Sequence, residues 1–217
     1  MKIVAEAGCN WSTMEEAKQF IDESKRLGLW ATKFQIYNDE LIKDHPDREF
    51  LKSIMIDKEI AMILFEHGRE IGQEVFFTPM FEEAVNWCEQ IGVNYYKIRY
   101  MDRNNKDLIN FIKKTGKTYF ISMNCEDNPK FGFGFEQRKV LFCQPYYPSP
   151  ISEYIWNSSI IYDGMSDHTK GTLLLKLALD TENLHCFKYW EKHVCLTKDC
   201  LESKWSVTFK ELEVVLK

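Results

Sequence analysis

Residues 31–37 read ATKFQIY, a short run of apolar and aromatic side chains that carries Lys33 and Gln35. Successive side chains of a β-strand point to opposite faces, so these two residues would share one face of the strand. A helical pattern comes before the run, and Leu27-Gly28 is typical of the end of a helix. The stretch therefore predicts a strand with a polar face that follows directly on a helix.

The same alternation of strand and helix runs along the whole sequence. Eight candidate strands are rich in Val, Ile, Phe and Tyr: Lys2–Ala7, Ala31–Tyr37, Glu74–Met80, Tyr95–Tyr100, Lys117–Met123, Lys139–Gln144, Ile160–Met165 and Cys186–Val194. The candidate helices, which have apolar residues at helical spacing, are Met14–Leu27 and residues 49–71, 82–91, 106–115, 170–182 and 208–216. Residues 148–159 have room for only a short helix. Gly28, Gly72, Gly92 and Gly116 precede four of the strands and are predicted to end helices.

Strands that alternate strictly with helices indicate a parallel sheet, and eight of them can close into a barrel. We therefore predict an α/β fold, a compact single-domain (β/α)8 TIM barrel over residues 1–217. The helix after strand five should be shortened or missing, because residues 124–138 contain Pro129, Gly132 and Gly134. An open doubly wound sheet is the alternative, although Gly8-Cys9-Asn10-Trp11 does not match the phosphate-binding pattern GxGxxG.

Composition excludes several classes of protein. With 45% hydrophobic and 28% charged residues, the chain is typical of a globular protein and not of a disordered, fibrous or membrane protein. Its net charge of −5 argues against nucleic-acid binding, and no apolar run is long enough to span a membrane. Seven scattered cysteines and a start that leads directly into a strand predict reduced thiols in the cytoplasm and no secretory signal.

Polar residues recur near the carboxyl ends of the predicted strands, where the active sites of barrels lie. They are Glu6, Lys33, Gln35, Thr78, Lys97, Arg99, Ser122, Ser166, His168, Glu191 and His193. Burying charged groups without partners is costly, so their repetition on seven strands predicts a site. The three cations suit a phosphate and a carboxylate, and the two histidines could bind one divalent metal. Glu191 and Asp102 are carboxylates available for proton transfer.

These residues lie in segments that resemble the N-terminal barrel of the N-acetylneuraminate (sialic acid) synthase family. The matching segments follow the family's order: AEAGCN (5–10), KFQ (33–35), FFTPMFEEAV (76–85), KI (97–98), KKTGK (113–117), YPSP (147–150), SDHT (166–169) and EKH (191–193). They span almost the whole chain, and the pair SDHT and EKH is specific.

The resemblance implies a transferase of carbohydrate biosynthesis that condenses phosphoenolpyruvate with an N-acetylmannosamine-like aldose. The product would be a sialic-type 2-keto acid, and phosphate would be released. His168 and His193 would hold Mn²⁺, or alternatively Mg²⁺ or Co²⁺, which would polarise the aldehyde oxygen. The resemblance assigns phosphoenolpyruvate binding to Lys33, Lys97, Ser122 and Ser166, and a lining role to Gln35, Thr78, Tyr147 and Glu6. Glu191 would act as an acid, a base or a water-orienting group, Asp102 would handle protons, and Glu202 would stand for a sugar-binding aspartate.

Several positions depart from the family. Arg99-Tyr100-Met101 replaces a small-residue segment that carries a phosphate-binding serine, and Trp11 replaces a histidine. Arg99 could compensate by donating two hydrogen bonds to the phosphate. Since the sequence ends at Lys217, we expect the family's C-terminal antifreeze-like domain to be absent. We therefore expect sugar recognition to differ, to come from another chain, or to be lost.

Two other functions stay open at this point. Lys97 or Lys33 could form a Schiff base in an aldolase, although such enzymes need no metal. The barrel could also be a non-catalytic module that binds a sugar or a phosphate. Small-molecule substrates are the expected partners, and neither nucleic acid nor membrane is. A homodimer is possible, and the aromatic segment FGFGF (131–135) is a candidate contact or lid.

Overall fold

The structure is a computed structural model that describes residues 1–124, 126–127, 136–153, 162–180 and 187–217. Eight parallel strands form its sheet, and β1 pairs with both β2 and β8, which closes the sheet into a barrel. The strands are β1 (Lys2–Gly8), β2 (Ala31–Ile36), β3 (Glu74–Pro79), β4 (Tyr95–Ile98), β5 (Thr118–Met123), β6 (Arg138–Cys143), β7 (Gly164–Asp167) and β8 (Tyr189–Cys195). The predicted TIM barrel is confirmed, and the alternative prediction of an open doubly wound sheet is wrong.

Helices surround the barrel in the described part of the chain. They are α1 (Met14–Arg26), α2 (Arg48–Ser53), α3 (Lys58–Ile71), α4 (Glu82–Ile91), α5 (Lys106–Lys114), α6 (Leu173–Asp180) and α7 (Phe209–Leu216). Gly28, Gly72, Gly92 and Gly116 have positive φ angles at helix ends, as predicted. None of the described helices is long and apolar enough to cross a lipid bilayer.

The predicted helical run 49–71 is wrong in one respect, because the structure breaks it into α2 and α3. The side chain of Asp57 accepts a hydrogen bond from the backbone N–H of Ile60 and begins a new helix there. Ile54 and Ile56 lie in the break and are buried. The periodic pattern of apolar residues therefore continues across a gap in the helix.

Strand boundaries also differ from the prediction, and two of the differences affect site residues. β4 ends at Ile98, so Arg99 lies just outside the strand and precedes a 3-10 turn over Tyr100–Asp102. β7 extends to Asp167, and the predicted strand starts at Ile160 and Cys186 lie outside the described residues. A short ninth strand, β9 (Val207–Thr208), pairs with the end of β8 and was not predicted.

The connection between β5 and β6 was predicted to lack a full helix. Its described residues, 124, 126–127 and 136–137, contain none. The predicted contact segment FGFGF (131–135) and residues 154–159 of the predicted short helix lie outside the described residues, and residues 151–153 form a 3-10 turn.

Two apolar clusters hold the barrel together. The larger one lies between the strands and the helices and includes Phe20, Phe34 and Leu64. The smaller one fills the inside of the barrel near the amino ends of the strands, and consists of Val4, Ala31, Phe76, Phe120 and Leu141, packed against by Trp30, Tyr95 and Tyr189. Because this second cluster fills only one end, the carboxyl half of the barrel interior is left to polar side chains.

Candidate functional site

A cavity at the carboxyl ends of the strands collects almost all of the predicted site residues. Its lining is Glu6, Lys33, Gln35, Thr78, Lys97, Arg99, Tyr100, Ser122, Tyr147, Ser166, His168, Glu191 and His193. Two predicted residues do not line it: Asp102, and Glu202, which lines the adjoining pocket. Since eight strands end at the same edge of the barrel, residues far apart in sequence come within contact distance there.

A network of buried charges forms the floor of this cavity. Lys33 forms an ion pair with Glu6 and lies 3.6 Å from Glu191, with its Nζ donating to Thr78 Oγ1 at 2.9 Å. Lys97 Nζ lies 2.6 Å from the other oxygen of Glu191. Two ammonium groups and two carboxylates therefore balance one another, as buried charges must.

Hydrogen bonds from neutral groups complete the network. Ser166 donates to Glu191 Oε1 at 2.7 Å, and Gln35 donates to Glu6 Oε1 at 2.6 Å. Burial alone would raise the pKa of Glu191, but Lys33 and Lys97 outweigh it and hold that pKa well below its usual range. Burial would lower the pKa of Lys33, but Glu191 and Glu6 raise it. Glu191 is therefore an anion and Lys33 a cation at neutral pH.

The two histidines face each other on one side of the cavity, with ring centroids 5.5 Å apart. His168 Nδ1 lies 2.8 Å from the backbone carbonyl oxygen of Gln144, and His193 Nδ1 lies 2.9 Å from Glu202 Oε2. Both oxygens can only accept, so each Nδ1 carries the proton of its hydrogen bond. In the neutral form of either ring, this leaves the Nε2 lone pair available to a metal.

Burial and the neighbouring imidazole of His193 hold the pKa of His168 well below its ordinary value, so His168 is neutral at pH 7. Burial would also lower the pKa of His193, but the carboxylate of Glu202 outweighs this and raises it. Neutral imidazole is the form that binds metals. The two rings therefore differ in their electrostatic surroundings although both are buried.

The donor set of the two histidines fits a divalent transition ion with open coordination positions. Within the described residues, no three His, Cys, Asp or Glu side chains are grouped as a metal site. An ion held here would have two imidazole ligands from the protein and would take the others from water or substrate.

Tyr147 covers the histidine pair from the outer side. Its ring stacks on His168 with centroids 4.0 Å apart, and Trp205 packs edge-on against it at 5.3 Å. Tyr147 is 50% exposed, because its outer face lines a second, larger pocket of about 560 Å³. Gln35, Arg99, Tyr100 and His193 line both the cavity and this outer pocket, so the two are continuous.

Arg99 and Asp102 pair with each other at the boundary between the two spaces. The Nε and Nη2 atoms of Arg99 both donate to the carboxylate of Asp102, which is mostly buried. Asp102 lines neither the cavity nor the outer pocket. The structure thus places Asp102 beside the site, where it orients Arg99, and its assignment to proton transfer stays a prediction.

The motifs SDHT and EKH alternate between the two faces of their strands. Ser166, His168, Glu191 and His193 point into the cavity, whereas Asp167 and Lys192 lie on neighbouring strands in register and are both fully buried. Lys192 Nζ lies 3.3 Å from Asp167 Oδ2, and Asp167 also accepts hydrogen bonds from Thr169 and Trp190. Asp167 and Lys192 therefore pair with each other away from the cavity, while the residues on either side of them line it.

Sequence reasoning missed several contacts of the site. Cys143 lies 3.7 Å from His168 Nδ1, and burial raises the pKa of its thiol to about 12. Its position two residues after Leu141, which is inside the barrel, could have revealed it. Trp205 and the pairing of Glu202 with His193 come from the connection after β8, and no strand periodicity points to them.

Comparison with known proteins adds the family. A model of the NeuB family matches residues 20–217 of the chain. The chain belongs to the NeuB family. MJ1065 of Methanocaldococcus jannaschii, an uncharacterized protein, is 29% identical over 220 residues, which cover 91% of this chain and 63% of that protein. The N,N'-diacetyllegionaminic acid synthase of Legionella pneumophila is 24% identical over 170 residues, or 70% of this chain and 46% of that protein. This NeuB-family chain thus spans less than two thirds of the length of either curated relative.

Solved structures share the barrel of this NeuB-family chain. The N-acetylneuraminic acid synthetase of Leptospira borgpetersenii, in complex with citrate, superposes with a TM-score of 0.82 at 24% identity, covering 99% of this chain and 80% of that one. The spore coat polysaccharide biosynthesis protein SpsE of Bacillus subtilis gives a TM-score of 0.79 at 21% identity, covering 99% and 66%. At these identities the similarity establishes the fold.

Proposed function

We propose that this chain catalyses the metal-dependent condensation of phosphoenolpyruvate with an N-acetylmannosamine-like aldose, giving a 2-keto-3-deoxy nonulosonic acid and phosphate. Membership of the NeuB family supports a transferase of the sialic acid synthase type. The observation that carries the proposal is the cavity itself. It places two imidazoles, each with its Nδ1 held by an acceptor, beside two buried lysines at the carboxyl ends of the barrel strands.

The cations of the cavity suit phosphoenolpyruvate. Its phosphate and carboxylate together carry two to three negative charges, and Lys33 and Lys97 would bind them as the ammonium groups turn from Glu6 and Glu191 toward the substrate. Arg99, at the mouth of the cavity, would donate to the phosphate with its planar guanidinium. Ser122, Ser166 and Thr78 would add hydroxyl donors. Fixed donors of this kind stabilise negative charge in the transition state without reorganisation.

A divalent ion bound by His168 and His193, with Mn²⁺ our first choice, would act as a Lewis acid on the aldehyde oxygen of the acceptor. Glu191 and Glu6 line the cavity, so these carboxylates would lie near the reacting atoms. As the enol carbon of phosphoenolpyruvate bonds to the aldehyde carbon, positive charge develops on the adjacent carbon. As Lys33 and Lys97 turn to the substrate, Glu191 would lose the cations that lower its pKa and would take a proton from the water that adds there. Glu191 would pass this proton to the alkoxide oxygen that forms from the aldehyde. The bond between the carbon and the phosphate oxygen would then break, and the proton of the new hydroxyl would leave with the phosphate.

The outer pocket is the place for the acceptor. It opens from the cavity next to both histidines, and its volume of about 560 Å³ accommodates a sugar. Tyr147 and Trp205 offer aromatic faces on which a pyranose or an open-chain sugar can pack. The aldehyde carbon would enter the cavity, and the rest of the sugar would stay in the outer pocket.

The test is an incubation of the protein with phosphoenolpyruvate, Mn²⁺ and a panel of N-acetylated hexosamines. We expect release of phosphate together with formation of a 2-keto acid, and we expect His168→Ala to abolish both. His67→Ala is the matched control, because His67 pairs with Asp22 at the surface outside the barrel mouth. Phosphate release that His168→Ala leaves unchanged would overturn the metal role.

A second candidate is a non-catalytic barrel that binds a sugar or a phosphate ligand. One observation favours it: both lysines of the cavity already have carboxylate partners, so the cavity carries no surplus of positive charge on its floor. This hypothesis predicts that phosphoenolpyruvate or a sugar binds in calorimetry while no phosphate is released.

The raised pKa of Lys33 argues against a Schiff-base aldolase, since that chemistry needs a neutral amine. Borohydride trapping with pyruvate would reveal such an adduct on Lys97 or Lys33.

A further inference from the structure

The connection between β8 and β9 returns over the barrel mouth and brings Glu202 onto the site. Glu202 Oε2 accepts a hydrogen bond from His193 Nδ1 at 2.9 Å, and both side chains are largely buried. The carboxylate lies on the side of the imidazole opposite to Nε2. Glu202 therefore contacts His193, the proposed metal ligand, through Nδ1, the nitrogen that the metal would not use.

Asn10 holds this connection in place. Its side-chain oxygen accepts a hydrogen bond from the backbone N–H of Glu202 at 2.9 Å. Its side-chain nitrogen donates to the carbonyl oxygen of Val194 at 2.7 Å and to Ser206 Oγ at 2.8 Å. One buried amide thus ties the end of β8, the turn that carries Glu202 and the start of β9 together. The carboxylate is fixed from its backbone side as well as through its contact with His193.

Gly8 makes room for the carboxylate. A Cβ atom on Gly8 would lie 2.4 Å from Glu202 Oε2, closer than any such contact in real structures. Gly8 also has a φ angle of 52°, which a residue with a side chain rarely adopts. The end of β1 is therefore shaped to receive this carboxylate.

The two imidazoles are supported unequally. His168 donates to a neutral backbone carbonyl, whereas His193 donates to a carboxylate. A carboxylate partner fixes the ring and raises the basicity of the nitrogen opposite to it. We infer that Glu202, which also lines the outer pocket, is a positioning residue that holds His193 with Nδ1 protonated and Nε2 turned to a divalent cation. The inference rests on the proposed function for the cation, but the orientation of His193 can be measured without one.

The first experiment measures the ring itself. Two-dimensional ¹⁵N NMR at alkaline pH, where both rings are neutral, reports which nitrogen of His193 carries the proton. We expect the Nδ1–H tautomer in the wild type and in Glu202→Gln, because the amide oxygen can still accept. Glu202→Ala should give a mixture of tautomers. Asp199→Asn, an exposed acidic residue of the same connection, is the matched control and should resemble the wild type.

The second experiment titrates the same four proteins with Mn²⁺ alone by calorimetry. Removing a carboxylate that supports a ligating histidine typically weakens metal affinity about 10–100-fold, and we expect that loss for Glu202→Ala. Glu202→Gln should lose less, and Asp199→Asn nothing. Circular dichroism identifies any variant that is unfolded, in which case the isosteric Glu202→Gln decides.

The outcomes separate the inference from the proposed function. If the wild type binds no Mn²⁺, the metal-binding role of His168 and His193 is overturned. The NMR result would still decide whether Glu202 orients His193. An unchanged His193 tautomer and unchanged Mn²⁺ affinity in Glu202→Ala would overturn the inference. The same holds if Glu202→Ala raises only the KM of the sugar, since the carboxylate would then be a sugar ligand.

Discussion

The two ends of the barrel interior are built from the same strands but have opposite chemistry. Near the amino ends, Phe76, Phe120 and their neighbours pack as an apolar plug, with ring centroids 5.8 Å apart for this pair. On most strands the side chain two residues further along, on the same face, is polar: Val4 is followed by Glu6, Phe120 by Ser122 and Tyr189 by Glu191, whereas Leu141 on β6 is followed by Cys143. Apolar packing and the candidate site therefore occupy opposite ends of the barrel interior.

The apolar end should carry most of the stability. Phe120 is 1% exposed and contacts the rings of Trp30, Phe76, Tyr95 and Tyr189. We expect Phe120→Ala to lower the free energy of unfolding by about 3–5 kcal/mol, because it leaves a cavity in a closed barrel. Urea denaturation measures this, and Val214→Ala, at a site 75% exposed, is the control, with a change within about 0.5 kcal/mol. Loss of Mn²⁺ binding in folded Phe120→Ala would show that the two ends are not independent.

The polar end should contribute charge balance more than net stability. Lys97→Met leaves Glu191 with Lys33 and Ser166 as partners, so we expect a loss of about 1–3 kcal/mol in the free energy of unfolding. Adding Glu191→Gln should recover part of that loss, because Lys33 keeps Glu6 and no unpaired charge remains. The coupling between the two substitutions should be about 0.5–3 kcal/mol in a double-mutant cycle. Strictly additive losses would argue that the two side chains stabilise the barrel separately.

The contact between the end of β1 and Glu202 can be tested by substituting Gly8. We expect Gly8→Ala to cost roughly 1–2 kcal/mol because of its left-handed backbone, and also to weaken Mn²⁺ binding by displacing Glu202. Gly28→Ala is the matched control, since Gly28 has a φ angle of 67° and nothing within 4 Å of a Cβ atom. It should show the same strain with unchanged Mn²⁺ affinity. Equal Mn²⁺ affinities for the two variants would contradict the role of Gly8 as room for the carboxylate.

The charge of Lys2, at the apolar end of the barrel, should contribute least to the free energy of unfolding. Lys2 Nζ lies 4.8 Å from the centroid of the Trp30 ring, at the exposed edge of the plug. We expect Lys2→Met to cost about 0.5–1 kcal/mol, the size of an exposed cation–π contact, with Mn²⁺ affinity unchanged. Thermal unfolding measures the shift. A loss as large as that of Lys97→Met would mean that single charges weigh equally at both ends.

The sequence was sufficient to predict the barrel and most of the residues that line its cavity, and the reason lies in two periodicities. Alternation of strands and helices predicted a parallel barrel, and the two-residue period of a strand placed Lys33, Lys97 and Glu191 on one face. The common edge of eight strand ends then brings them together. Where local pattern was ambiguous the prediction failed: apolar spacing continued across the break between α2 and α3, because Ile54 and Ile56 are buried without being helical.

Tertiary structure alone decided which partner each charged side chain finds. The two-residue period of a strand assigns a residue to one face of the sheet, but it does not predict which charged partner that residue contacts. It does not predict the ion pair of Lys33 with Glu6, that of Arg99 with Asp102, or that of Lys192 with Asp167 outside the cavity. Glu202 illustrates this best, since a turn and the amide of Asn10, 192 residues away in sequence, set its contact with His193. Such contacts depend on distances of a few ångströms between segments that have no local relation, and these distances exist only once the barrel has closed.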